Sequence, residues 1–206
     1  QPVRGTLVLA DDRILVSGGA SNVSNQPSVA LVMFNANGTL ETSWGTNGTR
    51  IITPPGYWAY GRSMTELPDG KIIIVGGYRD SALGISYDLI LRINANGDPD
   101  TSFDGDGFIG NSGRDAYNKV LLDPSGTFYA LHYYSANGSN GPSLERRLAN
   151  GTLDPSFDGD GRLELSPQFD ITGYAMDMAF DAPGRIIICG DKPVPFSSTS
   201  VGVAIR

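Results

Sequence analysis

Two copies of one short pattern bring carboxylates close together: Asp100, Asp104 and Asp106 lie along Asp100-Thr101-Ser102-Phe103-Asp104-Gly105-Asp106-Gly107, and Asp154, Asp158 and Asp160 along the equivalent stretch ending at Gly161. Carboxylates alternating with glycine in a tight loop are the hard oxygen donors that calcium takes, so calcium is the one cofactor these residues offer. A third copy argues for a plainer role. Glu41, Gly45 and Asn47 occupy the same three positions there, while Ser43-Trp44 and Asn47-Gly48 are kept. A loop that keeps its framework while losing charge points instead to side chains that cap turns by accepting backbone N–H bonds.

Other groups able to do chemistry are few. The irregular segment Pro54-Pro55-Gly56-Tyr57-Trp58-Ala59-Tyr60 carries three large aromatics, with Tyr78, Tyr87, Tyr133 and Tyr134 elsewhere on loops or strand ends. Aromatic loops on a rigid scaffold suit ligand binding, which makes Tyr57, Trp58 and Tyr60, with His132 and Tyr133, the candidate ligand-binding residues. Trp44, Phe103 and Phe157 share one position just before the Asp-Gly or Asn-Gly turn. Such a row could stack on sugars, but it packs one repeat on the next more readily. His132 is the single histidine, so a multi-histidine metal site is excluded, and no second base supports a serine or cysteine nucleophile. Cys189 is the single cysteine, which excludes a disulfide and a cysteine zinc site. Its place after Ile186-Ile187-Ile188 reads as a buried core thiol. Two acids from different repeats facing each other across a channel could hydrolyse a glycosidic bond, but no pair is singled out.

The elements that hold these residues repeat. Asn35-Ala36-Asn37-Gly38 recurs at Asn94-Ala95-Asn96-Gly97 and as Ala149-Asn150-Gly151, so the glycines step by 59 and 54 residues. A second marker, Pro68-Asp69-Gly70-Lys71 followed by Ile72 to Gly77, recurs around Asp12, Gly126 and Gly184, with steps of 58, 56 and 58 residues. Two markers keep one period. Each period holds about four short apolar runs separated by Asn-Gly, Asp-Gly or Ser-Gly turns, with no sustained helical spacing.

Four antiparallel strands repeated at this interval make an all-β chain of β-propeller blades. About fifteen strands, or about 3.75 blades, are expected. The repeats are approximately 1–28 in part, 29–87, 88–143, 144–200 and 201–206 in part, within one propeller segment spanning 1–206. An opening in mid-blade and a final strand before an expected turn imply a piece of a larger ring of roughly six to eight blades, a closed four-bladed ring being the alternative. Runs such as Ile72 to Val75 and Ile186 to Cys189 are expected to be covered on both faces by neighbouring blades.

The net charge of −7 comes from scattered acids, and lysines and arginines form no stripe, which argues against a nucleic-acid partner. No run of residues is apolar enough for a helical membrane span. Five Asn-x-Ser/Thr sequons begin at Asn22, Asn37, Asn47, Asn137 and Asn150, three of them being the Asn-Gly-Thr turn itself.

The paired motifs, Asn-x-Asn-Gly leading to Ser-Phe-Asp-Gly-Asp-Gly, then Pro-Asp-Gly-Lys-Ile-Ile-Ile-x-Gly-Gly, resemble the delta-60 repeat family of exported bacterial propeller-like proteins. The resemblance covers residues 5–206. It implies an extracellular or bacterial cell-surface setting, with export machinery engaged through other regions, and it implies no reaction. His132 and Tyr133 depart from it, standing where Gly76 and Gly77 stand one repeat earlier. The expectation is a non-catalytic scaffold binding a protein or a surface glycan. A carbohydrate hydrolase or lyase with a channel site, and a passive exported spacer, are the alternatives.

Overall fold

Short runs of Val, Ile and Leu are cut by glycine-bearing turns too often for a helix to form, and each run becomes a strand. The computed structural model describes residues 3–21, 26–54, 58–79, 86–110, 116–132, 142–166, 175–181, 185–193 and 200–205. Among them every regular element is a strand, and no helix is long and apolar enough to cross a membrane.

The first sheet runs in chain order through β1 (Val3–Val8), β2 (Ile14–Ser21), β3 (Pro27–Phe34) and β4 (Thr49–Ile52). The second does the same with β5 (Trp58–Glu66), β6 (Ile72–Arg79), β7 (Ser86–Ile93) and β8 (Phe108–Ile109). The third is β9 (Tyr117–Leu122), β10 (Phe128–His132), β11 (Ser143–Arg147) and β12 (Arg162–Glu164). The fourth holds β13 (Ala175–Phe180), β14 (Ile186–Pro193) and β15 (Ser200–Ile205). All neighbours pair antiparallel. The sheets therefore start about half a repeat away from the units marked by the sequence motifs, and β1 to β4 make a full sheet. The motifs mark turns, whereas the start of a sheet is set by which strands hydrogen-bond.

Side-chain alternation explains how the sheets stack. Ile72 and Ile74 of β6 point into a core with Leu15, Leu31, Met33 and Leu89, between the first and second sheets. Ile73 and Val75 point the other way, into a core with Phe103, Tyr117, Val120 and Phe128. Leu131, Leu144, Met178 and Ile188 fill the third interface. An unbroken apolar run is thus a strand sandwiched between sheets. The expectation of two covered faces holds for β6, whereas only one face of β14 meets a described sheet. There Ile188 is buried, but Cys189 is exposed, its Sγ 3.6 Å from the carbonyl oxygen of Asp177. Its side of β14 has no described sheet against it, so Cys189 stands exposed among the described residues instead of in a core between two of them.

The aromatic row packs between blades. Trp44 is buried and donates its Nε1–H to the carbonyl of Ala95 across the first interface, at 2.9 Å. Phe103 cannot donate. Arg92, whose guanidinium lies 4.5 Å over the Phe103 ring, bonds the equivalent carbonyl of Ala149 instead, at 2.6 Å. Trp44 and Phe103 thus each seat under the Asn-Gly turn of the following blade. At Gly97 (φ +89°) a Cβ would fall 2.6 Å from the Trp44 ring, so the glycine supplies both the left-handed turn and the clearance.

Candidate functional site

One irregularity recurs in the first strand of every sheet. The register of β1 against β2 shifts between Val3 and Gly5, that of β5 against β6 between Gly61 and Ser63, that of β9 against β10 at Asn118, and that of β13 against β14 between Ala175 and Asp177. Each shift leaves one extra residue, a β-bulge, which re-aims its side chain. The four bulge residues are Arg4, Arg62, Asn118 and Met176.

These first strands stand side by side in chain order, β1 on β5, β5 on β9 and β9 on β13. All four bulge residues, with the residue after each (Gly5, Ser63, Lys119 and Asp177), line one open cavity of about 570 Å³. Hydrogen bonds between neighbouring inner strands hold its wall. Ser63 Oγ accepts from the Val120 N–H at 3.2 Å, Arg62 donates to Asn118 Oδ1 at 3.4 Å, and the Asn118 amide donates to the carbonyls of Ala175 (3.2 Å) and Met176. Lys119 Nζ lies 2.9 Å from Asp177 Oδ1. Tyr60 supports the other cations: the Arg4 guanidinium sits 4.6 Å over its ring and that of Arg62 5.3 Å from it. Such cation–π contacts orient a guanidinium without neutralising it.

A second polar cluster is closed to solvent. Glu145 of β11, fully buried, accepts from Tyr117 OH at 2.5 Å, from Arg147 Nε at 2.9 Å and from Arg162 Nη2 at 2.5 Å. His132 Nε2 lies 3.1 Å from Glu145 Oε1 and 3.8 Å from Asp88 Oδ2, and its ring tilts against Tyr117 at 4.1 Å. Burial pushes the Glu145 carboxyl up, but the hydrogen bond and charge of His132, the Arg147 guanidinium and the Tyr117 hydroxyl outweigh it and hold the group well below the usual carboxylate range. Burial first, and then the charges of Glu145 and Asp88, push the Tyr117 hydroxyl far above its ordinary value. An ionised Glu145 with both oxygens bonded and a neutral Tyr117 form a network between the second and third sheets. With His132 only 1% exposed, its ring sits inside this interface and away from the open cavity.

The remaining candidates separate. Tyr57 and Tyr133 lie outside the described residues, as do Tyr134 and the side chain of Trp58. Tyr60 props up Arg4 and Arg62, while Tyr78 and Tyr87 stack on each other at 4.6 Å across β6 and β7. The acidic loops are built as turns. Asp100 Oδ1 accepts from the N–H and hydroxyl of Ser102, and its Oδ2 is 2.7 Å from Arg92 and 2.9 Å from Lys71. Asp154 does the same with Ser156 and faces Arg146 at 3.3 Å. Asp106 and Asp160 accept from the N–H groups of Phe108 and Arg162, and Asp104 and Asp158 take φ of 52° and 51°, where the first copy has Gly45 at 58°. Among the described residues no three His, Cys, Asp or Glu side chains converge, and the carboxylates of Asp100, Asp106, Asp154 and Asp160 are engaged by their own turns. The Asn-Gly-Thr sequons are turns of the same kind, Asn37 and Asn150 accepting from Thr39 and Thr152. Asn22 and Asn137 lie outside the described residues.

Comparisons with known proteins bear on the scaffold. No curated protein matches the sequence. Among solved structures, a protein of unknown function from Bacteroides caccae is similar over 92% of this chain, at 12% identity and a TM-score of 0.56, and the chain spans 56% of that protein's length. A virginiamycin B lyase from Staphylococcus aureus is similar over 99% of this chain and 69% of its own, at 10% identity and a TM-score of 0.43. Residues 9–43 and 67–103 match a family described as a domain of unknown function (DUF5122) of β-propeller type. Both stretches cover the second and third strands of a sheet and end at its turn. Together with four antiparallel sheets stacked around one cavity, this match makes the chain a run of β-propeller blades built from a β-propeller repeat.

Proposed function

We propose that the chain is a non-catalytic binding scaffold of an exported, cell-surface protein, seating a surface glycan in the cavity between its inner strands. The observation that carries this reading is the cavity itself. One bulge per blade sends Arg4, Arg62, Asn118 and Met176 to a common opening of about 570 Å³, within the usual size range of small-ligand sites. Thr6, Ser63 and Asn118 supply short polar groups suited to sugar hydroxyls. Asp177 is the one carboxylate among the described lining residues, whereas glycoside hydrolysis ordinarily takes two acids. The period and paired motifs favour repeats of the delta-60 kind.

A glycan panel tests the reading. Binding to oligosaccharides without turnover, lost when Asn118 is changed to Leu, is the expected result. Cleavage of a polysaccharide that stops on changing Asp177 to Asn would instead make the chain a carbohydrate-active enzyme.

A further inference from the structure

The cavity wall is cationic in a chain that is otherwise acidic. Arg4, Arg62 and Lys119 line it against the single carboxylate Asp177, while the whole chain carries a net charge of −7. Lys119 is spent on Asp177 at 2.9 Å. Arg4 is not: among the described residues it has no carboxylate partner, and its contact is the face of Tyr60. Arg62 shares that ring from the other blade and reaches Asn118. Two guanidinium groups from adjacent blades are thus brought to one wall by equivalent bulges and held by one aromatic ring. Guanidinium is the cation best matched to a planar, two-oxygen anion. The acidic background means that general charge attraction does not explain this wall; the field there is local.

We propose that the cavity selects carboxylate-bearing sugars, with the carboxylate of a uronic acid residue held by Arg4 and Arg62 and the sugar hydroxyls met by Ser63, Asn118 and Lys119. This deepens the glycan-binding reading above and rests on it. A cavity of about 570 Å³ far exceeds a lone carboxylate, which favours an acidic oligosaccharide over a small organic acid. Tyr60 is a positioning residue in this arrangement, because it acts through the two arginines.

Calorimetric titration of the full chain compares trigalacturonate, its carboxyl-reduced counterpart and citrate. Trigalacturonate should bind, and should weaken on raising ionic strength past about 0.15 M. Arg4→Gln and Arg62→Gln should each raise its Kd roughly ten- to hundredfold, the worth of a hydrogen bond to a charged group. Asp177→Asn releases Lys119 and should tighten binding several-fold, a gain that misfolding cannot mimic. Equal binding of the carboxyl-reduced sugar, or an unchanged Kd in both arginine variants, would overturn the carboxylate inference and leave the glycan reading standing. Tighter binding of citrate than of trigalacturonate would overturn it in favour of a free organic acid. Failure of all three probes, with no binding across the glycan panel, would overturn both.

Discussion

Glu145 shows how one residue can change the character of a blade interface. Its equivalents by strand pairing are Val32, opposite Val16, and Leu91, opposite Ile74, while Glu145 stands opposite Ala130. Around it Arg147, Arg162, Tyr117 and His132 replace Ile93, Phe108, Gly61 and Gly76 of the preceding sheet. A carboxylate in that place is tolerable only when every oxygen is bonded, as here. Glu145→Gln leaves the buried Arg147 and half-buried Arg162 guanidinium groups without their counter-charge and should lower unfolding free energy by about 3 kcal/mol, read by urea denaturation. The pH dependence has a definite sign. The folded carboxyl ionises well below its ordinary value, so its contribution is complete above that ordinary value and is lost as pH falls towards the lowered one. Stability should therefore decline below about pH 5, and Glu145→Gln should flatten the decline. Identical slopes in the two proteins would show that another group controls it. This cluster was legible in the sequence only in part. His132 stood out because it replaces a glycine, but Glu145 could be found only by aligning Ser143 to Arg147 with Leu89 to Ile93 and reading a charge at an apolar position.

At the level of strands and turns, packing and backbone strain can be separated. Gly97 and Gly70 both adopt positive φ, +89° and +78°, yet a Cβ at Gly97 meets the Trp44 ring at 2.6 Å and one at Gly70 meets nothing within 4 Å. Gly70→Ala should cost about 1 kcal/mol, the left-handed penalty alone. Gly97→Ala should cost that plus about 1–3 kcal/mol for forcing the ring aside. Matching losses in thermal melts would mean that Trp44 gives way freely. Turn chemistry was readable from the chain because Asn-Gly and Asp-Gly demand left-handed φ wherever they occur. The same chemistry explains the acidic loops: Asp100 and Asp154 serve their own turns and the adjacent arginines. The bulges were not readable. Arg4, Arg62, Asn118 and Met176 follow no common residue type, two being arginines and the others an amide and a thioether, and a bulge is a property of two paired strands.

In the molecule as a whole, stability should follow the number of covered faces. The second sheet is packed on both sides, and Ile72, Ile73, Ile74 and Val75 are all fully or nearly fully buried. In a stack of this kind each unit draws stability from its neighbours, so the amides of β6 should exchange with deuterium more slowly than those of β14. Equal protection would indicate one cooperative block instead of additive blades. Cys189, on the side of β14 that no described sheet covers, should react with a thiol reagent without denaturant. A reaction seen only after adding denaturant would place another surface over that face.

Strand number, turn positions and the four-strand repeat are dictated locally, because period-two alternation and glycine turns act over a few residues at a time. The covering of β6, the exposure of Cys189 and the satisfaction of Glu145 depend on which sheet lies against which. The gathering of Arg4, Arg62, Asn118 and Met176, drawn from four repeats, is a matter of geometry as well. Those residues lie 56 to 58 positions apart, and only the stacking of four bulged strands side by side brings their side chains to one cavity.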